Sequence, residues 1–393
     1  MQYKEFHGLK LSALGFGTMR FPLNADGSIN EELTQKLIDQ AYENGVNYYD
    51  TAFPYLDGKS EGVTAKCLSK YPRESFYLAD KMPAHQFIEN IDPKKIFEME
   101  LERLNTGYID FYLLHNVNDS CLDIYTDESI GIVKYLLEEK KNGRIRYLGF
   151  SSHATLETLE KFLVYCKEHG YTMDFCQLEM NYLDWTLQRG KQKIELLNQY
   201  GIPLWVMEPC RGGKLAALRK EDHEKLAALD PGRTDASWAF RWLMGLPEVK
   251  VILSGMNSEE QVSDNLKTFS EYKPLTEKEN AALLEIAEGM KKSVPCTSCR
   301  YCTKSCPKGI DIPFMMYLYN EYMYDEGNME PSALISSVPA DNRPEACLKC
   351  GECAKRCPQH IDIPVKMARL FELVAAGVDW KALCRKRNAL ADM

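Results

Sequence analysis

Residues 47–55 read NYYDTAFPY: a short aromatic run that ends on a carboxylate, Asp50, with a tyrosine, Tyr55, five residues on. Seven other short runs rich in β-branched and aromatic residues share its form: SALGFGT (12–18), FYLAD (76–80), DFYLLH (110–115), RYLGFS (146–151), DFCQLEM (174–180), PLWVME (203–208) and KVILSG (250–255). Between them lie stretches such as EELTQKLIDQAYENG (31–45) and PKKIFEMELERLNTG (93–107), where apolar residues recur at three and four and so mark helices. Strands that are apolar on both sides and separated by helices imply a parallel sheet covered on both faces. Eight of them fit an α/β protein built on a (β/α)8 TIM barrel. The rival, a doubly wound open sheet, usually announces a dinucleotide site as GxGxxG after its first strand. Here GFGTMR (15–20) supplies only Gly15 and Gly17.

A barrel of this kind places its chemistry at the carboxyl ends of its strands. Asp50 and Tyr55 follow the second strand, Lys81 the third and His115 the fourth. Together they form an acid–base set. Tyrosine has a reference pKa near ~10 and is a poor proton donor at neutral pH, but an adjacent ammonium stabilises its anion. Lys81 would supply that ammonium, Asp50 would hold it, and His115 could hydrogen-bond the oxygen of a bound carbonyl. The chemistry suggested is carbonyl reduction. Singly, each residue also has a plain structural reading: a capping carboxylate, a packed ring, a solvated lysine, a core histidine.

On these residues, residues 1–270 resemble the aldo/keto reductases, which show an Asp-Thr-Ala-x-x-Tyr motif, a lysine ending the third strand and a histidine ending the fourth. The resemblance implies that Tyr55 is the general acid, that Lys81 and Asp50 tune it, that His115 orients the carbonyl and that a reduced nicotinamide delivers hydride. It also carries over to cofactor contacts. GFSSH (149–153) is similar to the family's Gly-x-Ser-Asn, matching at Ser151, with Ser152 where the asparagine is usual. Gln177 matches the glutamine that holds the nicotinamide carboxamide. MEPCRGGKL (207–215) looks like the Tyr-Ser-Pro-Leu-Gly-x-Gly loop, with Met207 in place of the stacking tyrosine. Gly212 and Gly213 there either cradle a pyrophosphate or serve only as a turn. In SGMNSEEQVSDN (254–265), Ser258, Gln261 and Asn265 are the polar candidates, and Gly255 and Gln261 stand where basic residues often grip a 2′-phosphate. NADP, NAD and a flavin all stay open as the cofactor, and the loops 82–90 and 116–128 carry no motif that names the carbonyl or alcohol substrate.

The far end of the chain carries one signal twice: CTSCRYCTKSCPKGIDIP (296–313) and CLKCGECAKRCPQHIDIP (347–364). The copies agree at ten of 18 positions, including all four cysteines. Each reads CxxCxxCxxxCP, the ferredoxin run in which three close cysteines bind one [4Fe–4S] cluster and the fourth reaches the partner cluster. Cys296, Cys299, Cys302 and Cys357 are therefore expected on one cluster, and Cys347, Cys350, Cys353 and Cys306 on the other. Structural zinc is the alternative, but all-cysteine zinc modules usually present two separated CxxC pairs. Asp311 and Asp362 can cap the helices that follow, with Pro313 and Pro364 in their first turns. The long spacer, residues 314–346, resembles that of mainly helical two-cluster ferredoxins. Expected domains are thus a barrel, 1–290, and a ferredoxin-type domain, 291–393.

Composition bounds the remaining classes. The chain has 393 residues, 45% of them apolar, with no run near the ~18 apolar residues of a membrane span. The start, MQYKEFHGLKLSALGFGT, lacks a secretory signal, so a cytoplasmic location is expected. Of 14 cysteines, eight lie in the two runs, which argues for metal and against a disulfide scaffold. Residues 291–393 hold 15 Lys and Arg against 12 Asp and Glu, leaving 33 against 45 in the acidic barrel, which gives no basic face for nucleic acid. Three functions remain: an oxidoreductase whose clusters feed or drain the barrel, through a flavin, a radical or a one-electron partner protein; a plain carbonyl reductase with structural or docking clusters; and a non-catalytic electron carrier.

Overall fold

A computed structural model describes residues 1–86, 91–290, 294, 296, 300, 302–324, 329–357 and 359–388. Two strands, β1 (Tyr3–Phe6) and β2 (Leu9–Ser12), form an antiparallel hairpin. The eight that follow are β3 (Leu14–Gly17), β4 (Tyr48–Asp50), β5 (Tyr77–Met82), β6 (Ile109–Val117), β7 (Ile145–Ser152), β8 (Phe175–Glu179), β9 (Leu204–Met207) and β10 (Val249–Gly255). They pair in parallel, in chain order, and close where β10 meets β3. Each falls on one of the eight runs read as strands. The helices between them begin on polar caps: Asn30 accepts from Leu33 N–H, Asp92 from Lys95 N–H and Thr155 from Thr158 N–H.

Tyr48, Ala79, Phe111, Leu113, Phe175, Trp205, Val251 and Leu253 pack together in one buried cluster with Phe6 and Leu11 of the hairpin. Phe6 stands edge-on to Trp205 with ring centroids 4.9 Å apart. The hairpin therefore plugs the barrel end away from the strand termini that carry Asp50 and Lys81. Its turn, His7-Gly8, has φ of 47° and 79°, the two positive angles that a tight I′ turn needs. Burying a ring such as Phe6 is worth about 1.5–3 kcal/mol. Gly15 has a packing role: a Cβ there would lie 2.7 Å from Leu253 and 2.8 Å from Val251.

The chain divides into two compact units, Met1–Glu288, to which Arg387 also belongs, and Gly289–Lys386. The second has no strand among its described residues. Its helix Ile312–Tyr324 packs on Ile363–Ala376 and on Glu330–Ser337. Met315, Met316, Tyr319, Tyr322, Met367 and Leu370 are buried between them and form the core of this unit. Asp311 and Asp362 cap the two repeat helices by accepting from Phe314 and Val365 N–H. No helix of the described residues is long and apolar enough to cross a membrane.

Candidate active site and cysteine cavities

Asp50 ends β4 and Lys81 lies in β5, which pairs Asp50 with Ala79 in register. Lys81 is fully buried and its Nζ donates to Asp50 Oδ1 at 2.6 Å and to the Thr51 carbonyl at 2.5 Å. The same nitrogen lies 5.0 Å from the centroid of the Tyr55 ring. Tyr55 in turn meets the His115 ring edge-on, with centroids 6.0 Å apart. His115 is delivered by an irregularity: the β6–β7 register shifts between Leu114 and Val117, and Asn116 adopts a φ of 57°. Such a bulge re-aims a side chain at the rim of a barrel. Tyr125 braces it, its hydroxyl donating to the carbonyls of His115 at 2.5 Å and Met82 at 3.0 Å. The four residues read from the sequence thus meet at one strand-terminal site.

Burial raises the pKa of Tyr55 above the usual phenol value, while the Lys81 ammonium pulls the other way. The phenol therefore rests protonated. Burial would discharge Lys81, but Asp50 and Tyr55 together hold its pKa above the usual lysine value. Asp50 is raised by its own burial against the pull of Lys81, and its Oδ2 has no hydrogen-bond partner. A neutral donor beside a charged lysine is the arrangement that general acid catalysis by tyrosine requires.

The cofactor candidates divide by what they already bind. Gln177 is buried, its Nε2 reaches Met207 Sδ at 3.7 Å and its Oε1 has no partner, leaving a free acceptor suited to a carboxamide N–H. Ser151 Oγ accepts from Asn116 N–H at 2.8 Å, so it fixes the bulge. Ser152 Oγ donates to the Val117 carbonyl at 2.7 Å. Ser258 caps the helix Glu259–Ser270, Gln261 Oε1 accepts from Asn257 N–H at 2.9 Å, and Asn265 donates to Ser254 Oγ at 3.0 Å. At Gly212 and Gly213, φ is 64° and 100°; Gly213 N–H is spent on the Cys210 carbonyl at 3.0 Å, and Gly212 N–H donates to Glu208 Oε2 at 2.5 Å. Of the sequence's candidates, then, Gln177 alone presents a buried acceptor with no partner. Of the substrate loops, residues 87–90 lie outside the described residues.

On the outer face of β5, behind Lys81, sits a group that the sequence reading missed. Asp80, Glu61 of the helix Ser60–Leu68 and Glu100 of the helix Pro93–Arg103 are fully buried, with carboxylate oxygens within 4.8 Å of one another. Arg103 pairs with Glu61 at 2.9 Å, and Tyr112 donates its hydroxyl to Glu100. Burial lifts all three acids, Glu61 to about 7. Because these pKa values lie above those of the unfolded chain, the folded state binds extra protons; stability is greatest below the unfolded values and falls as pH rises through about 7. Glu100→Gln removes one of the three raised acids and with it that acid's share of the pH dependence. The variant is expected to lose less Tm than the parent between pH 5.5 and 8.5. Parallel Tm profiles would refute this.

The cysteines line two cavities. One is bounded by Cys296, Cys302 and Cys357 with Arg300, Met316 and Gln359. The other is bounded by Cys347, Cys350, Cys353 and Cys306 with Lys308 and Met367. Cys299 lies outside the described residues. Each cavity thus combines thiols of one run with the last cysteine of the other. The two linings exchange under the 51-residue repeat offset: Met316 answers to Met367, and Gln359 to Lys308. Ile312 and Ile363 line both. An apolar pocket walled by converging thiols suits a thiolate-held iron–sulfur cluster.

Residues 13–288 match the Aldo/keto reductase family. The chain belongs to that family. Residues 295–361 match a 4Fe-4S dicluster domain, so this aldo/keto reductase is an oxidoreductase with iron–sulfur centres. It is 27% identical over 297 residues to the L-galactose dehydrogenase of Arabidopsis thaliana, covering 68% of this chain and 87% of that one. It is 23% identical over 329 residues to the NADH-specific methylglyoxal reductase of Escherichia coli, covering 72% and 97%. The solved structure of a Bacillus halodurans aldo-keto reductase in its holo form superposes with a TM-score of 0.59 at 26% identity, covering 73% of this chain and 96% of that one. Membership implies a small-molecule substrate.

Within this family member, two further charged residues at the barrel mouth escaped the sequence reading. Glu208 follows β9 with a φ of 52°, its carbonyl held by Asn181 Nδ2 at 3.1 Å. Arg211 is buried, its guanidinium held by Glu179 at 3.3 Å and by Asp184. Non-glycine residues at positive φ cost of order 1–3 kcal/mol and persist where surrounding contacts over-determine them. Glu208 and Arg211 of MEPCRGG both stand at positive φ, a backbone feature that the residue types do not announce.

Proposed function

We propose that this chain interconverts a small carbonyl compound and its alcohol at the barrel mouth by hydride exchange with a nicotinamide, and that the second of its two domains, 291–393, holds two [4Fe–4S] clusters for separate one-electron exchange with a redox partner protein. The observation that carries this reading is the buried Lys81–Asp50 pair set beside Tyr55 and His115. In this reading Tyr55 donates its hydroxyl proton to the carbonyl oxygen as charge develops there. Lys81 then stabilises the phenolate, and Asp50 with the Thr51 carbonyl keeps the ammonium aimed at it. His115 orients the carbonyl oxygen. A reduced nicotinamide, when bound, supplies hydride, and Gln177 Oε1, buried with no hydrogen-bond partner, would hold its carboxamide. The names of the relatives support this chemistry: a methylglyoxal reductase reduces a carbonyl, and an L-galactose dehydrogenase oxidises a sugar.

For the clusters, the supporting observation is the pairing of each three-cysteine run with the last cysteine of the other at one cavity. Cys296, Cys299, Cys302 and Cys357 would hold one cluster, and Cys347, Cys350, Cys353 and Cys306 the other. Protein purified without oxygen should be brown and contain about eight iron and about eight acid-labile sulfide atoms per chain. It should also reduce methylglyoxal with NADH. Zinc in place of iron would overturn the cluster assignment, and absence of aldehyde reduction across a panel of small carbonyls would overturn the barrel assignment.

A further inference from the structure

The loop after β9 holds a charge arrangement that the carbonyl chemistry does not use. Glu208 folds back so that its Oε2 takes the Gly212 N–H at 2.5 Å, and its Oε1 lies 3.7 Å from Arg20. Arg211, Gly212 and Gly213 all have positive φ, 45°, 64° and 100°, which turns the Gly212 amide out of the loop's own hydrogen bonding. The loop is anchored from behind, since the Arg211 side chain is buried against Glu179 and Asp184. Outward-facing amides in such a turn are anion sites. The anion in this one is the protein's own carboxylate.

Arg20 comes from the far side of the barrel seam, just past the end of β3. A Cβ built on Gly255 would lie 3.1–3.2 Å from the carbons of the Arg20 side chain, so the bare glycine at the end of β10 lets that side chain lie across it. Arg20 therefore brings a guanidinium to a strand end where SGMNSEEQ offers no basic residue. It is half exposed and thus open to a second partner. Guanidinium groups pair with phosphate and carboxylate alike, as both present forked oxygens.

We propose that Glu208 is an internal competitor for the Gly212 amide, displaced when a dinucleotide binds through its pyrophosphate, and that Arg20 then exchanges the Glu208 carboxylate for a phosphate oxygen. The proposal rests on the nicotinamide reading above. With Glu208 in place, an incoming phosphate meets a like charge at the Gly212 N–H, so the residue sets how tightly the barrel holds its nucleotide. Neutralising it removes both the competition and the repulsion, and charge pairs at such a half-exposed position are worth about tenfold in affinity.

The test uses the full chain with its clusters intact and two probes, NADH followed by fluorescence and inorganic pyrophosphate followed by calorimetry. Glu208→Gln is expected to lower the Kd of both by about tenfold, and Arg20→Ala to raise both. Glu208→Asp, which keeps the charge on a shorter arm, should fall between parent and Glu208→Gln, and it stands in for that variant if it does not fold. Kd values for both probes within about twofold of the parent in the position-208 variants would overturn the proposal. Tighter pyrophosphate binding with no NADH binding in any variant would uphold the internal competitor while removing the nicotinamide reading on which the dinucleotide assignment rests.

Discussion

Tyr55→Phe is expected to slow carbonyl reduction by about 10²–10⁴-fold while leaving iron content and nucleotide affinity unchanged. The loss follows from the single atom removed. The proton must reach the carbonyl oxygen as the new C–H bond forms, and among the charged and polar groups at the site only the Tyr55 hydroxyl combines a raised pKa, so that it rests protonated, with an adjacent buried cation to receive its negative charge. Lys81→Met should act in the same direction, since the phenolate would lose that cation. It carries a second effect: Asp50 would stay buried with no counter-charge, and breaking a buried pair from one side costs about 3–5 kcal/mol. Its Tm should therefore fall, whereas that of Tyr55→Phe should not. Turnover in Tyr55→Phe within a factor of about three of the parent would remove the acid-catalysis account.

Cys357→Ala and Cys306→Ala are expected to damage opposite clusters, each leaving about half the iron. Cys357 shares its cavity with Cys296 and Cys302, from the other run, and Cys306 shares its cavity with Cys347, Cys350 and Cys353. Cys357→Ala should therefore perturb the cluster that Cys296→Ala perturbs, and Cys306→Ala the one that Cys347→Ala perturbs. Electron paramagnetic resonance of the reduced variants distinguishes the two signals. The opposite pattern, with each run keeping its own fourth cysteine, would contradict crossed ligation. Both variants should also lower Tm, because the thiols are packed into the helical core around Ile312 and Ile363.

What was legible in the sequence follows from how local each constraint is. The eight barrel strands are buried on both faces, so each is a continuous apolar run that can be read without knowing its neighbours. The cysteine spacing is local in the same sense, because three ligands of one cluster must come from one short turn. Asp50, Lys81 and His115 were legible because they sit immediately at strand ends, where a barrel keeps its polar groups. The hairpin that plugs the barrel was not: YKEF and LKLS are short and interrupted by Lys4, Glu5 and Lys10, and of their apolar side chains Phe6 and Leu11 are the ones buried in the plug. Ser151, Ser152, Ser258, Gln261 and Asn265 also carry structural hydrogen bonds, at a bulge, a helix cap and loop ends, that no sequence motif announces. The carboxyl cluster was illegible for the same reason. Glu61, Asp80 and Glu100 each resemble an ordinary surface acid, and only the packing of two helices on β5 and β6 brings them together.

The central claim is that hydride chemistry at a carbonyl occurs in the barrel, with Tyr55 supplying the proton. The most direct measurement is the fate of deuterium from NADH labelled at the transferring position of C4, with methylglyoxal as substrate and the product read by mass spectrometry. The account predicts one deuterium on the former carbonyl carbon in the parent protein, with the same labelling at a rate lower by about 10²–10⁴-fold in Tyr55→Phe. A product whose new C–H hydrogen comes from water would contradict it, because the hydrogen would then not have passed directly from the nicotinamide to the carbonyl carbon.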